Sequence, residues 1–289
     1  MAWDNIPRIH CFSLGDLHEF DRCFFSFFVK HHLGKKYEVA EGNMSQAVGC
    51  LLDLAIKKLH QIRAYNQSPQ YLQTLIKAAE REMREDIEKR GKNSFYGAQL
   101  EFLTPEVVSR AQEIFKKYMQ QIAGKFKKLL LTEISQKQKP FWQRVISSTQ
   151  DLKLWGGPDA IEIGEDGVPE VVDYKYFEDL ERGKGNLDMD LMPKVYILLC
   201  AEDLKKSGFS KARFKIRFWE DPLNEDFYEE FDLTNAPNLE NYLKDKIERI
   251  LRTTEVSFCE RDYCRVCKHP QKAEWLKQLA ALGLVEHKV

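Results

Sequence analysis

The stretch from Trp155 to Tyr176 constrains this chain most, because it has the composition of a β-hairpin. Two runs rich in β-branched and aromatic residues flank Gly164-Glu165-Asp166-Gly167, whose glycines supply the positive φ that a tight reversal needs. On the second arm a period of two sets Val171, Asp173 and Lys175 on one face, with Val172, Tyr174 and Tyr176 on the other. Whether Asp159 shares the Asp173 face depends on the loop. A two-residue loop puts it opposite Val172; a five-residue loop from Gly164 to Val168 puts it opposite Asp173, and a three-residue loop or a bulge restores the common face. We expect an odd loop. Two carboxylates about 5 Å apart at an effective dielectric near 20 repel by roughly 3 kcal/mol, so the arrangement requires a cation between them. A hard, oxygen-seeking ion such as magnesium or manganese suits that place. The bland alternative is a surface hairpin with ordinary charged residues.

Gly157-Pro158-Asp159, followed after the turn by Asp173-Tyr174-Lys175, resembles the two core motifs of the PD-(D/E)xK nuclease superfamily, and more narrowly its RecB-like branch. The resemblance implies an α/β fold: a restriction-endonuclease-like core with a central mixed sheet flanked by helices. It also implies that Asp159, Asp173 and the Tyr174 carbonyl hold magnesium or manganese, and that Lys175 is catalytic.

The helix expected over residues 44–64 carries Val48, Leu52, Ala55, Leu59 and Ile62 as one apolar stripe, with Asp53 on its flank. Asp53 could simply pair with Lys57, one turn on. In the family, Gly49-Cys50-Leu51-Leu52-Asp53 falls where a Gly-x-x-x-His or carboxylate equivalent stands, which makes Asp53 a third ligand. Where RecB-like chains write Gln-x-x-x-Tyr, this one has Met192-Pro193-Lys194-Val195-Tyr196; Tyr196 matches and Met192 replaces the glutamine. Lys211, Arg213, Lys215 and Arg217 alternate with Ala212, Phe214, Ile216 and Phe218. Such a strand presents a basic ribbon that could bind phosphates, or it is a solvated outer strand.

Near the end, Cys259, Cys264 and Cys267 form a C-x4-C-x2-C run closing on His269 and Pro270. Three thiols this close need only a fourth ligand to complete a sulfur site for an iron-sulfur cluster or for zinc. Cys23 lies in a helix expected from Ser13 to Leu33 and could be a small buried hydrophobe. In cluster-bearing RecB-like nucleases one amino-terminal cysteine joins three carboxy-terminal ones, which implies a 4Fe-4S cluster on Cys23, Cys259, Cys264 and Cys267. Zinc is the alternative, with His269 able to replace one thiol.

The 289 residues are read as a single nuclease domain over 1–289, with a helical insertion at 65–145 and a cysteine-bearing segment at 255–289 that packs on the amino-terminal helix. The insertion is strongly charged, and its lysines 116, 117, 125, 127 and 128 are expected to be mostly solvated. Basic and acidic residues nearly cancel, 44 against 45, so any DNA contact must come from local patches. No apolar run is long enough to span a bilayer and the start lacks a signal-peptide layout, so a cytoplasmic protein is expected. The implied activity is metal-dependent DNA exonucleolysis, chiefly on single strands or ends. The chain resembles the CRISPR-associated exonuclease that works beside the integrase, while repair and recombination nucleases, some partnered by helicases, share its motifs. The alternative is a catalytically silent nucleic-acid-binding module that keeps the fold and the metal site.

Overall fold

A computed structural model describes residues 11–34, 42–62, 68–91, 94, 96–122, 142–147, 152–224, 226–253, 258–259 and 264–283. Two compact units emerge, one built from residues 1–40, 141–156 and 237–289, the other from residues 41–140 and 157–236.

In the first unit a three-stranded sheet has the order β1 (Cys11–Phe12), β3 (Leu152–Gly156), β2 (Trp142–Ser147), with β1 parallel and β2 antiparallel to β3. Helix α1 (Leu14–Arg22) starts at a reciprocal capping box, the Ser13 hydroxyl accepting from the Asp16 amide while Asp16 accepts from Ser13. The single helix expected from Ser13 to Leu33 is broken at Cys23, whose backbone is extended (φ −164°, ψ 105°), and α2 (Phe24–His31) begins there. Cys23 caps α2, its Sγ accepting from the Ser26 amide at 3.4 Å. Periodicity missed the break because the apolar face continues across it: Phe20 stacks on Phe24 and meets Phe27 edge-on. Helix α8 (Ala236–Arg252) belongs to this unit from Pro237 onward.

The second unit carries the hairpin expected from the sequence. Its sheet has the order β4 (Ala160–Ile163), β5 (Pro169–Lys175), β6 (Lys211–Phe218), β7 (Tyr228–Asp232), mixed because β5 and β6 run parallel and the other pairs antiparallel. The first hairpin arm is shorter than the composition suggests. Trp155 belongs to β3 of the other sheet, and Gly157-Pro158-Asp159 interrupts the extended chain where Pro158 has no amide to give a ladder.

On one face of the sheet lie α3 (Met44–Ile62), α4 (Pro69–Arg90) and α5 (Pro105–Gln121). Ser68 and Thr104 cap the latter two, each followed by proline at the first helical position, where a missing amide costs nothing. Leu52, Ala55, Ile56 and Leu59 of α3 interlock with Ile76, Met83, Phe115 and Tyr118, and the cluster closes on Val172, Tyr174 and Trp219. Each such side chain contributes about 1.5–3 kcal/mol by leaving water. Of these helices, α4 and α5 lie within residues 65–145, the stretch read as a charged helical insertion. Of its lysines, Lys116 and Lys117 are exposed on α5, whereas 125, 127 and 128 lie outside the described residues.

The other face is covered by α7 (Leu191–Lys206), whose Tyr196 ring stacks on Phe214 of β6. Residues 177–190 contain the short helix α6 (Leu180–Gly185) capped by Asp179, and the acidic stretch after Asp221 contains β7. Among the described residues no helix is long and apolar enough to cross a membrane.

Candidate active site and cysteine centre

The hairpin loop takes five residues, Gly164 to Val168, because Ile163 pairs with Pro169 and Ala160 with Val172. Gly167 sits at φ 81° in that loop, a conformation costly for any side chain. Extending the ladder by one step brings Asp159 level with Asp173. The Asp159 amide donates to the Val172 carbonyl, and its Oδ2 accepts the Tyr174 amide at 2.9 Å. The Asp159 carboxylate is therefore held at the start of β4, with Oδ1 the oxygen that makes no bond to the hairpin backbone.

Asp173 is 3 % exposed and Lys175, two residues along the same face, places Nζ 2.5 Å from its Oδ2. From α7 the Tyr196 hydroxyl donates to the Asp173 carboxylate. Asp53 enters from α3, and its Oδ1 is buried with no hydrogen-bond partner. One turn later on the same helix Lys57 puts Nζ 3.2 Å from Asp159 Oδ1. Three carboxylates, two ammonium groups and a phenol are thus brought to one region where two helices, α3 and α7, flank the β4–β5 hairpin.

The electrostatics follow from burial. Desolvation first, and then the Asp159 charge, push the Asp53 carboxyl well above the usual carboxylate range; Lys57 and Lys175 only partly offset this. Burial likewise raises Asp173, against the pull of Lys175. For Lys57 and Lys175 burial acts downward but the neighbouring aspartates outweigh it, so both ammonium groups hold their protons above the usual lysine range. Buried carboxylates that repel one another and include an unpartnered oxygen are a fitting donor set for a hard divalent cation.

The remaining candidates are placed differently. Tyr174 gives its amide to Asp159 and sends its ring to the opposite face, onto Trp219. Met192 is buried within α7. The alternating cations of β6 do not form a solvent-facing ribbon. Arg213 pairs with Asp166, Glu170 and Glu230, Arg217 with Glu162, and Lys211 with Glu230, while Lys215 is 1 % exposed. Glutamates on β4, β5 and β7 stand in register beside them, which a strand read alone does not reveal. Lys57 was visible only as a possible partner of Asp53. The signal was its spacing: four residues along a helix put both side chains on one face.

In the first unit, Cys23, Cys259, Cys264 and Cys267 bring their sulfurs within 4.8 Å of one another. Cys23 lies 3.4 Å from Cys267 and 3.9 Å from Cys264, and Cys259 lies 3.7 Å from Cys267. Cys264 and Cys267 belong to the cap and body of α9 (Arg265–Lys268), and α10 (Lys272–Ala281) follows. Trp275 and Leu279 of α10 bury against Phe25, Phe28 and Val29, so an apolar cluster as well as the thiols ties the carboxy-terminal segment to α2. His269 stays out of the thiol group: its Nδ1 accepts the Gln271 amide and its ring stacks on Trp275. The other cysteines have simple environments, with burial pushing the Cys50 thiol up to about 12 and raising Cys200 further.

Comparison with curated proteins and with solved structures gives no match. A family model described as PD-(D/E)XK nuclease superfamily matches residues 11–271, a span that includes the three carboxylates, both lysines and all four clustered cysteines. The chain belongs to the PD-(D/E)XK nuclease superfamily.

Proposed function

We propose that this protein is a deoxyribonuclease that needs magnesium or manganese and digests DNA from single-stranded ends. The observation carrying this reading is the convergence of Asp53, Asp159 and Asp173 beside Lys175, with Asp53 Oδ1 buried and unpartnered. Those carboxylates would hold the ion, which when bound lowers the pKa of a coordinated water and neutralises charge on the phosphate. The chain's own groups do the rest. The Tyr174 amide and the Tyr196 hydroxyl fix the orientation of Asp159 and Asp173. Lys175, kept protonated by Asp173, directs an ammonium at the developing charge on the scissile phosphate.

Exonucleolytic action and a role in CRISPR spacer acquisition or in recombination and repair are supported by the RecB-like motifs. The family match runs through both compact units, which supports treating residues 1–289 as one nuclease domain. The test is cleavage of end-labelled single- and double-stranded DNA with manganese, comparing wild type with Asp173→Ala and Lys175→Ala. We expect wild type to cut and both variants to lose at least a hundredfold in rate. If wild type cuts neither substrate, the chain is instead a binding module on a nuclease fold.

The four cysteines are proposed to hold a structural metal. The resemblance implies a 4Fe-4S cluster. The sulfur separations in the structure fit a single tetrahedral ion, since Zn–S bonds of about 2.3 Å give a tetrahedron edge of about 3.8 Å. A four-iron cube sets iron and sulfide between the thiolates and requires them to move apart. Metal analysis of protein purified without oxygen decides: iron with absorbance near 400 nm, or one zinc and no colour.

A further inference from the structure

The position of Lys57 carries an inference that rests on the metal-dependent nuclease reading. Asp159 Oδ2 is committed to the Tyr174 amide, so Oδ1 is the oxygen this residue can offer to an ion, and Lys57 Nζ already sits on it at 3.2 Å. Asp53, the residue with the unpartnered oxygen, lies one turn before Lys57 on α3. Among the described residues the four thiols form the one set of candidate ligand atoms lying within 4.8 Å of one another; the three carboxylates do not close up in that way, and a lysine is bound to each of Asp159 and Asp173. The two lysines differ in freedom. Lys175 extends from the strand that carries Asp173, with 29 % of its side chain exposed, whereas Lys57 reaches over from a helix with 49 % exposed.

We propose that Lys57 is a displaceable counter-ion: it neutralises Asp159 while no divalent cation is bound, gives up Oδ1 when one arrives, and then turns its ammonium to a phosphate oxygen of the DNA strand. A lysine at the position following Asp53 by one turn thus competes with the metal and assists the substrate. The two roles give opposite signs, which a merely structural lysine would not.

The experiment is manganese titration of the purified, DNA-free protein by calorimetry, for wild type, Lys57→Met, Lys57→Arg and Asp53→Asn. Lys57→Met is expected to bind manganese roughly three- to tenfold tighter, the scale on which a half-exposed ion pair opposes a competing cation. Lys57→Arg, which keeps the charge, should bind no tighter than wild type. In parallel, binding of a nuclease-resistant single-stranded oligonucleotide with manganese present should lose about one unit from its slope of log affinity against log salt in Lys57→Met. Equal or weaker manganese binding by Lys57→Met, or an unchanged salt slope, overturns the proposal. If wild type binds no manganese, or Asp53→Asn binds it as well as wild type, the failure lies with the nuclease reading.

Discussion

At the level of single residues, burial and mutual repulsion of the carboxylates work against the folded state, a cost the proposed cation would relieve. Asp53 and Asp173 hold their protons to higher pH when folded, because burial disfavours the carboxylate. A group whose folded pKa is raised contributes stability below its unfolded pKa and loses it as pH climbs toward the folded one. Metal-free protein should therefore become easier to unfold in urea as pH rises from about 4, the ordinary aspartate range, and manganese should restore the loss at neutral pH. Asp53→Asn removes one of these charges; we expect it to unfold about 1–2 kcal/mol later in denaturant while abolishing cleavage, the usual opposition of stability and activity. Tyr196→Phe tests the orienting phenol. Losing a donor to the Asp173 carboxylate should cut turnover by about 10- to 100-fold and shift the acidic limb of the pH–rate profile upward. The three candidate carboxylates and Lys175 were legible in the sequence because the motifs they sit in are local. The pairing of Lys57 with Asp159 was not, since Asp159 is distant in sequence and Lys57 reaches it from α3, a tertiary contact that spacing does not reveal.

Among the elements, the β4–β5 hairpin shows where reading the chain stops. Alternation fixed the faces of β5, and the glycines marked the turn, but loop parity decides whether Asp159 and Asp173 share a face, and composition does not determine parity. Deleting Glu165 with the five-residue loop geometry retained slips the register by one, pairs Asp159 with Val172 and should turn it to the other side of the sheet, abolishing cleavage while far-ultraviolet circular dichroism stays close to wild type. Strand β6 illustrates the complementary difficulty. Its alternation was visible, yet a row of cations looks the same whether it faces phosphates or the glutamates of neighbouring strands. With Glu162 3 % exposed, Arg217→Ala leaves a buried carboxylate without its partner and should cost about 3–5 kcal/mol in denaturant unfolding. The break at Cys23 was hidden by a continuous apolar face, although the break is what sets its sulfur at a helix cap.

For the molecule as a whole, the candidate catalytic groups and the clustered thiols lie in different units: carboxylates and lysines in one, four cysteines in the other. Stripping the cysteine metal with a strong chelator should lower the unfolding temperature, and Cys267→Ala should lower it by a similar amount with no further loss on chelation. Manganese added to either sample should not restore it, because a hard ion does not substitute at thiolates. The separation of the ligands along the chain has a temporal consequence. Cys23 leaves the ribosome 241 residues before Cys264, which at 5–20 residues per second is on the order of ten to fifty seconds. Through that interval the amino-terminal helix pair has one of the four clustered thiols and half of its apolar socket, so the metal proposed for these cysteines would be loaded only as synthesis of the chain finishes.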